Sequence, residues 1–526
     1  MDFETINKMD KATDKTLPGF AKLSLGLLFI VVVFLWSYTS HGNVPNNSFL
    51  IIGAVFGAYM AMNIGANDVA NNVGPAVGSK AITMFWAIVI AAIFEAAGAL
   101  IAGGEVVKTI KKGIIDPALI SDPEIFIWAM TAALLSAALW LNFATSVGAP
   151  VSTTHSIVGG VMGAGIAAAG FAIVSWGTMA KIAASWIISP VFGGVVAALF
   201  LLFIKKNIMF QKDMVSSAKK FVPYLIAIMS WAFSTYLIVK GIKHLIKVNF
   251  LTASLVGLII ALIVFFVVRP LIEKSAQKID NTRLGINSLF TIPLIFSAAL
   301  LSFAHGANDV ANAIGPLAAI NDAIIKSSVS SQVGIPFWVM AVGALGIAIG
   351  LALYGPRIIK TVGSEITELD QVRAFSIAMA AAITVIIASQ LGLPVSSTHI
   401  AVGGVFGVGF LREFLDSSES KILSDIRKKL KKDKKILDKY EAELIDLEDK
   451  NKKSKSEYIR VVELYKLIEE KIEQVRIEKR DFKAKKRVKY VKRDAIKKIV
   501  AAWLITVPAA GLLSASIFFM IKGIMS

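Results

Sequence analysis

Two clusters of polar residues with the side chains of a cation site lie inside strongly apolar stretches of the sequence. They occur in GANDVANNVGP at 65–75 and GANDVANAIGP at 306–316, and comprise Asn67, Asp68, Asn71, Asn308, Asp309 and Asn312. Carboxylates in apolar surroundings are costly and usually functional, a buried structural hydrogen-bond network being the alternative. The framing glycines and Gly-Pro pairs predict broken or distorted helices with freed carbonyls. Amide, carboxylate and carbonyl oxygens together predict a hard-cation site.

A second pair of segments carries three consecutive hydroxyl residues shortly after a proline. Segment 148–160 reads GAPVSTTHSIVGG and segment 392–404 reads GLPVSSTHIAVGG. This order predicts a helix start, where free N–H groups and partial positive charge suit an oxyanion. Simple capping is the alternative, but hydroxyl triplets in both copies favour a ligand. The triplets are Ser152, Thr153, Thr154 and Ser396, Ser397, Thr398.

The charges of these segments predict that a cation and an anion bind together. No Lys or Arg lies within either motif. An anion held there meets Asp68 and Asp309, and like charges at about 4 Å repel by about 4 kcal/mol at an effective dielectric constant of 20. A mobile cation is therefore needed, and each ion promotes the binding of the other. We expect coupled transport.

Four further polar residues are candidates for accessory roles. Glu95, in IFEAAGAL, is a candidate for a cation path, with a structural carboxylate as an equal alternative. Gln390 precedes the second triplet and could donate to an anion. His155 and His399 follow the triplets, and we expect them to orient or pack rather than to bind a ligand.

The two halves of the chain are diverged copies of one unit. The GANDVAN segments are identical at nine of eleven positions, and the hydroxyl segments at nine of thirteen. Order and spacing are kept, because the two pairs are offset by 241 and 244 residues. This regularity excludes a chance match.

The composition is that of a membrane protein. Apolar residues make up 56% of the chain and the mean hydropathy is +0.68, above the apolar share of soluble domains. We expect an all-α polytopic fold with about twelve transmembrane helices, some broken or re-entrant. There is no cysteine, which excludes disulfides and thiolate sites. The expected segments are an N-terminal segment with an extra helix at 1–48, a first repeat at 49–204, linking helices at 205–288, a second repeat at 289–411, an insert at 412–498 and a C-terminal helix at 499–526.

The insert at 412–498 accounts for much of the net charge of +18, since it holds 29 of the 55 Lys and Arg residues but 19 of the 37 Asp and Glu residues. Its basic character predicts a cytoplasmic location rather than nucleic-acid binding. Apolar residues at three- and four-residue steps predict an antiparallel coiled-coil hairpin. The predicted seam comprises Leu423, Ile426, Leu430, Leu437, Tyr440, Leu444 and Leu447, then Tyr458, Val461, Tyr465, Ile468, Ile472 and Val475. A solvated stalk is the first interpretation, and a docking surface for a cytoplasmic regulator the second.

The paired GANDVAN and P-V-S-[ST]-T-H motifs resemble the inorganic phosphate transporter family, also called the Pit family. The resemblance spans 50–174 and 289–411 and includes KGIIDP at 112–117. It implies inverted repeats, phosphate between the hydroxyl segments and cations at the GANDVAN segments. Some relatives have a Glu where this chain has Ala378, which bears on the details of coupling.

On the residues and the resemblance together we expect a sodium-coupled phosphate symporter of the inner membrane. The residues expected to bind phosphate are Asn67, Thr153, Thr154, Asn308, Gln390, Ser397 and Thr398. Those expected to bind sodium are Asp68, Asn71, Ser152, Asp309, Asn312 and Ser396. No cofactor is expected, because sodium is a co-substrate, and a homodimer is left open.

The alternatives are a proton-coupled phosphate carrier and a sulfate permease. A phosphohydrolase using Ser152 and His155 lacks a third orienting group, so we expect no enzyme activity.

Overall fold

The computed structural model describes residues 19–42, 47–120, 122–147, 151–241, 248–326, 335–365, 369–419, 421–486 and 493–525. Over these ranges the chain is helical, with one isolated β-bridge between Ile115 and Val174. Eleven helices of the described ranges are long and apolar enough to cross a membrane. The all-α polytopic fold is confirmed.

Two long runs of helices correspond to the two halves of the sequence. The first run comprises α1 (Gly19–His41), α2 (Asn47–Gly78), α3 (Met84–Ala102), α4 (Gly104–Lys112), α5 (Pro123–Ser146), α6 (Thr153–Ala169) and α7 (Trp176–Ile204). Two linking helices follow, α8 (Met214–Gly241) and α9 (Phe250–Ala276). The second run comprises α10 (Arg283–Leu289), α11 (Thr291–Lys326), α12 (Phe337–Glu365), α13 (Gln371–Gln390) and α14 (Ser397–Glu419). The chain ends with α15 (Lys421–Glu448), α16 (Lys455–Lys486) and α17 (Arg493–Met525).

The GANDVAN segments lie within continuous helices. α2 runs through Gly65 and contains Pro75, and α11 contains Pro316. The prediction that the chain breaks at these segments is therefore wrong. The interruptions lie instead at the hydroxyl segments, between α5 and α6 and between α13 and α14.

Glycines in these continuous helices permit close helix packing rather than a break. A Cβ atom at Gly65 would overlap the carbonyl oxygen of Ile347 on α12, and one at Gly306 would overlap that of Glu95 on α3. Because Gly65 and Gly306 are equivalent in the repeat, the contact of α2 with α12 recurs as that of α11 with α3. Helices of each half therefore pack directly against helices of the other half.

The equivalent helices α2 and α11 run antiparallel. Gly53 faces Ile320, Gly57 faces Leu317, and the Asp68 carboxylate lies 3.7 Å from the His305 ring. Residue numbers rise along one helix as they fall along the other.

The C-terminal helix α17 packs on the first hydroxyl helix in the same way as α7 packs on the second. A Cβ atom at Gly159 on α6 would press on the Val507 carbonyl oxygen, and one at Gly403 on α14 would overlap that of Pro190. α7 therefore packs on the second hydroxyl helix and α17 on the first. In space, α17 is the counterpart of α7.

Residues 409–491 form a separate compact unit. Within it, α15 and α16 lie side by side and antiparallel, because Glu443 pairs with Arg460 at 2.8 Å and Asp433 with Lys471 at 3.0 Å. The partly buried or buried face of α15 includes Ile426, Leu430, Leu437, Tyr440, Leu444 and Leu447, as predicted. The supercoiling of a coiled coil stays a prediction.

The predicted seam of α16 is half wrong. Tyr458, Tyr465 and Ile472 are about half exposed, at 61%, 53% and 47%. Leu464 is fully buried, and Val475 is 5% exposed. α16 carries two apolar stripes one residue out of phase, and periodicity alone selected residues from both.

Candidate functional site

The predicted ligand residues other than Gln390 converge where the two interrupted helix pairs meet the continuous helices α2 and α11. Ser152 and Ser396 cap α6 and α14, since their Oγ atoms accept from the backbone N–H groups of His155 at 3.1 Å and His399 at 3.3 Å. The helix starts predicted from the prolines and hydroxyls are confirmed. The capping alternative therefore applies to the first hydroxyl of each triplet.

Asp68 is fully buried and lies beside a hydroxyl of the other half. Thr398 donates from Oγ1 to Asp68 Oδ1 at 3.0 Å. Asn71 donates to Thr398 Oγ1 at 2.9 Å and lies 3.3 Å from Asp68 Oδ1. A side-chain triangle thus joins α2 to the start of α14.

A related arrangement surrounds Asp309 and Asn312 on α11. Ser397 donates from Oγ to Asp309 Oδ2 at 3.0 Å. Asn312 donates to Thr154 Oγ1 at 3.2 Å, and Thr154 in turn donates to the Val395 carbonyl at 2.9 Å. The site is therefore composite, with polar side chains from each half bonded to the other.

Asn67 and Asn308 extend the cluster towards the preceding helices. With its oxygen accepting from Thr145, the Asn67 amide donates to Asp68 Oδ1 at 3.2 Å and to the Val151 carbonyl at 3.1 Å. In the matching orientation, Asn308 accepts from Ser389 Oγ at 3.1 Å and donates to Asp309 Oδ1 at 2.8 Å. Ser389, one residue before the predicted Gln390, is thus the side chain that contacts Asn308.

His305 is the main feature that the sequence reasoning missed. Its Nε2 lies 2.8 Å from Asp309 Oδ2 and 3.7 Å from Asp68 Oδ2, and its Nδ1 lies 3.2 Å from Glu95 Oε2. All four side chains are fully buried. One ligand atom each from Asp68, His305 and Asp309 falls within 4.8 Å of the others, close enough to share a cation.

Glu95 belongs to this cluster. Its Oε1 accepts from Asn72 Nδ2 at 2.7 Å, and its Oε2 faces His305. These partners fit a structural carboxylate and also connect Glu95 to the aspartates, so its role in a cation path stays a prediction. The positions equivalent to Asn72, Glu95 and His305 in the other half of the sequence are apolar. This row of polar side chains, which leads from α3 to the aspartates, is therefore not repeated there.

The cluster has an excess of negative charge even with His305. One imidazole offsets at most one charge, whereas Asp68, Asp309 and Glu95 carry up to three. Burying uncompensated carboxylates costs several kcal/mol each. With all three carboxyl groups ionised, His305 therefore leaves negative charge uncompensated, and the mobile cation expected from the sequence stays a prediction.

A buried polar cluster between two equivalent halves of a polytopic helical protein is the arrangement of a membrane transporter. Residues 64–514 match the Phosphate transporter family. The chain belongs to this family, whose members are permeases and not enzymes. The resemblance inferred from the paired motifs is confirmed.

Relatives and a solved structure share this assignment. The chain is 51% identical to a protein of Helicobacter pylori described as a phosphate permease, over 98% of both chains. It is 44% identical to one of Thermococcus kodakarensis that carries the same description, over 69% of this chain and 89% of that one. A solved structure of a sodium-dependent phosphate transporter matches with a TM-score of 0.73 and 31% identity, over 91% of this chain and all of that one.

Proposed function

We propose that this protein is a secondary active symporter that imports inorganic phosphate with sodium by alternating access. Phosphate is bound by Thr153, Thr154, Ser397 and Thr398 with the Asn67 and Asn308 amides, and sodium by Asp68, Asn71, Asp309 and Asn312. Sodium coupling is supported by the similar sodium-dependent phosphate transporter. We place the protein in the inner membrane with the insert in the cytoplasm.

One observation carries the proposal: hydroxyl groups suited to phosphate donate to carboxylates suited to sodium. Thr398 donates to Asp68, and Ser397 donates to Asp309. A sodium ion at the carboxylates competes for their oxygen lone pairs and leaves the hydroxyls free to donate to phosphate. Phosphate in turn supplies further negative charge beside the ion. Each ligand thereby favours the other.

A proton-coupled carrier is the second candidate, and His305 favours it. An imidazole among three carboxylates can exchange protons with its neighbours, and protons would reduce the negative charge as sodium does. Sodium is preferred because the similar solved transporter is sodium-dependent. In addition, the buried Asn312 Oδ1 accepts no hydrogen bond within the described residues, so an amide oxygen is available to coordinate a hard cation.

Uptake into liposomes separates these candidates. The purified full chain is reconstituted, and entry of labelled phosphate is followed with an inward sodium gradient, an equal potassium gradient, or an inward proton gradient. We expect accumulation above equilibrium with sodium alone. Accumulation with the proton gradient alone would replace sodium by protons, and equilibration without accumulation would indicate a channel.

A further inference from the structure

Two imidazole rings lie in contact behind the hydroxyl segments. His155 directly follows Thr154 at the start of α6, and His399 directly follows Thr398 at the start of α14. Both histidines are buried, and their ring centroids are 4.5 Å apart at an interplanar angle of 79°. Edge-to-face contact at this distance is favourable. The rings join the two halves immediately beside the residues proposed to bind phosphate.

Each imidazole also contacts an indole. The ring centroids of Trp186 on α7 and His155 are 3.8 Å apart, and those of Trp503 on α17 and His399 are 3.4 Å apart. The two indoles occupy equivalent places, because α7 and α17 are counterparts in the packing. The four rings therefore form a continuous row, which we call the ring cluster.

Hydrogen bonds tie the ring cluster to the second hydroxyl segment. Trp186 donates from Nε1 to the Pro394 carbonyl at 3.3 Å, and Thr154 donates to the Val395 carbonyl at 2.9 Å. Both donors belong to the first half, and both acceptors immediately precede Ser396. The backbone leading into the second triplet is thus held by side chains of the first half.

We propose that the ring cluster of His155, Trp186, His399 and Trp503 positions the two hydroxyl segments relative to each other and so sets the affinity for phosphate. The inference rests on the proposed function. Thr154 and Thr398 approach one ligand from different halves, and hydrogen bonds weaken steeply as distance and angle depart from their optimum. The four rings are positioning residues, which act through the threonines.

The test is phosphate uptake by the reconstituted full chain, with KM and maximal rate measured separately. His155→Ala removes the ring between the halves, and we expect the KM for phosphate to rise about tenfold with the maximal rate within about twofold. Trp186→Phe keeps a ring against His155 but removes the donor to Pro394. For this conservative variant we expect a rise of about threefold, and it carries the test if His155→Ala does not fold.

Trp338→Ala is the matched control. Trp338 contacts Trp36 at 5.4 Å and His41 at 5.1 Å, so this substitution also removes an indole from an imidazole, but away from the hydroxyl segments. We expect its KM for phosphate to equal that of the parent. A rise equal to that of His155→Ala would show a general effect of lost aromatic packing and overturn the inference.

The double variant His155→Ala, His399→Ala tests whether the rings act through each other. A shared function predicts a KM close to that of the single variants, whereas independent effects multiply. Multiplied effects, or an unchanged KM in both His155→Ala and Trp186→Phe, would overturn the inference while leaving the transport function intact. A parent without sodium-driven uptake would overturn the proposed function and this inference with it.

Discussion

At the residue scale, the site contains more than its repeated motifs indicate. His305 lies in the apolar run before the second GANDVAN segment, and its counterpart in the first half is Ile64. The comparison of the two halves, which located the aspartates and hydroxyls, therefore gave no signal for it. A histidine three residues before Asn308 and four before Asp309 shares their helix face, and that spacing could have revealed it.

The orientation of α13 explains why Ser389, and not the predicted Gln390, contacts Asn308. The sequence placed a polar donor before the second hydroxyl segment, but Ser389 and Gln390 differ by about 100° around α13. Ser389 faces Asn308, as Thr145 faces Asn67 in the first half. Composition identified the right segment, and only the helix orientation identified the residue.

Removing one hydroxyl at the start of α6 or α14 should weaken phosphate binding. Thr154→Val and Thr398→Val keep the side-chain shape and delete a donor to a charged ligand, which typically costs about 1.5–3 kcal/mol. We expect each to raise the phosphate dissociation constant about ten- to hundredfold, measured by equilibrium binding in saturating sodium.

Thr131→Val is the control for this pair, because the buried Thr131 hydroxyl donates within its own helix to the Ile127 carbonyl at 2.8 Å. Its phosphate affinity should match that of the parent. Unchanged affinity in both Thr154→Val and Thr398→Val would place the anion elsewhere.

At the scale of elements, glycine and proline were ambiguous signals. They predicted broken helices, but α2 and α11 accommodate Pro75 and Pro316 within continuous helices. Gly65 and Gly306 face the backbones of neighbouring helices. Glycine in an apolar segment is compatible both with a helix break and with a close contact between helices. Only the position of the neighbouring helix distinguishes the two.

Substituting Gly306 should destabilise the membrane unit. In Gly306→Ala the new methyl group meets the Glu95 carbonyl on α3, and overpacking of this kind typically costs about 1–3 kcal/mol. We expect a lower melting temperature in detergent, followed by tryptophan fluorescence. Gly74→Ala is the matched control, since its Cβ meets no atom within 4 Å. Equal melting temperatures for both variants would contradict the close approach.

The polar hairpin of α15 and α16 should loosen in acid. The hydrogen bond with Lys450, followed by those with Ser454, lowers the pKa of Glu457 to about 2, and the hydrogen bond with Arg460 lowers that of Glu443. The pKa of Asp433 is lowered chiefly by its hydrogen bond with Lys471. A carboxyl group whose pKa is lower in the folded hairpin than in the unfolded chain stabilises the hairpin at any pH above its ordinary pKa. This stabilisation is lost as the pH falls through the folded-state pKa.

Spin labels at Ile445 and Ile459, introduced through cysteines into the cysteine-free full chain, measure this effect. We expect a narrow distance distribution at pH 7 that broadens between about pH 4.5 and 2. An unchanged distribution at about pH 1.5, below the folded-state pKa of Glu457, would show that apolar contacts alone hold the two helices together.

At the scale of the whole molecule, the sequence identified two equivalent halves but could not orient them. Sequence identity between the two halves does not reveal whether the repeats are parallel or inverted in the membrane. The antiparallel course of α2 and α11 supports the inverted arrangement, because equivalent helices then enter the membrane from opposite sides. Likewise, the place of α17 as counterpart of α7 is hidden in the sequence by the insert between α14 and α17.

Cysteine accessibility tests the inverted arrangement. Leu119 precedes α5 and Leu369 precedes the equivalent helix α13, so we expect cysteines at these positions to react with an impermeant maleimide from opposite sides of the membrane. The parent has no cysteine, and it serves as the unlabelled control. Labelling of both positions from one side would mean parallel repeats.

The reciprocal binding of sodium and phosphate tests the central claim most directly. The phosphate dissociation constant of the purified parent is measured by calorimetry across a range of sodium concentrations at constant ionic strength, and the sodium constant across a range of phosphate. We expect sodium to tighten phosphate binding about tenfold or more, and phosphate to tighten sodium binding by the same factor. In Asp68→Asn and Asp309→Asn this coupling should be lost or strongly reduced in a folded protein. Phosphate affinity that is indifferent to sodium in the parent, or full coupling in both variants, would contradict the account.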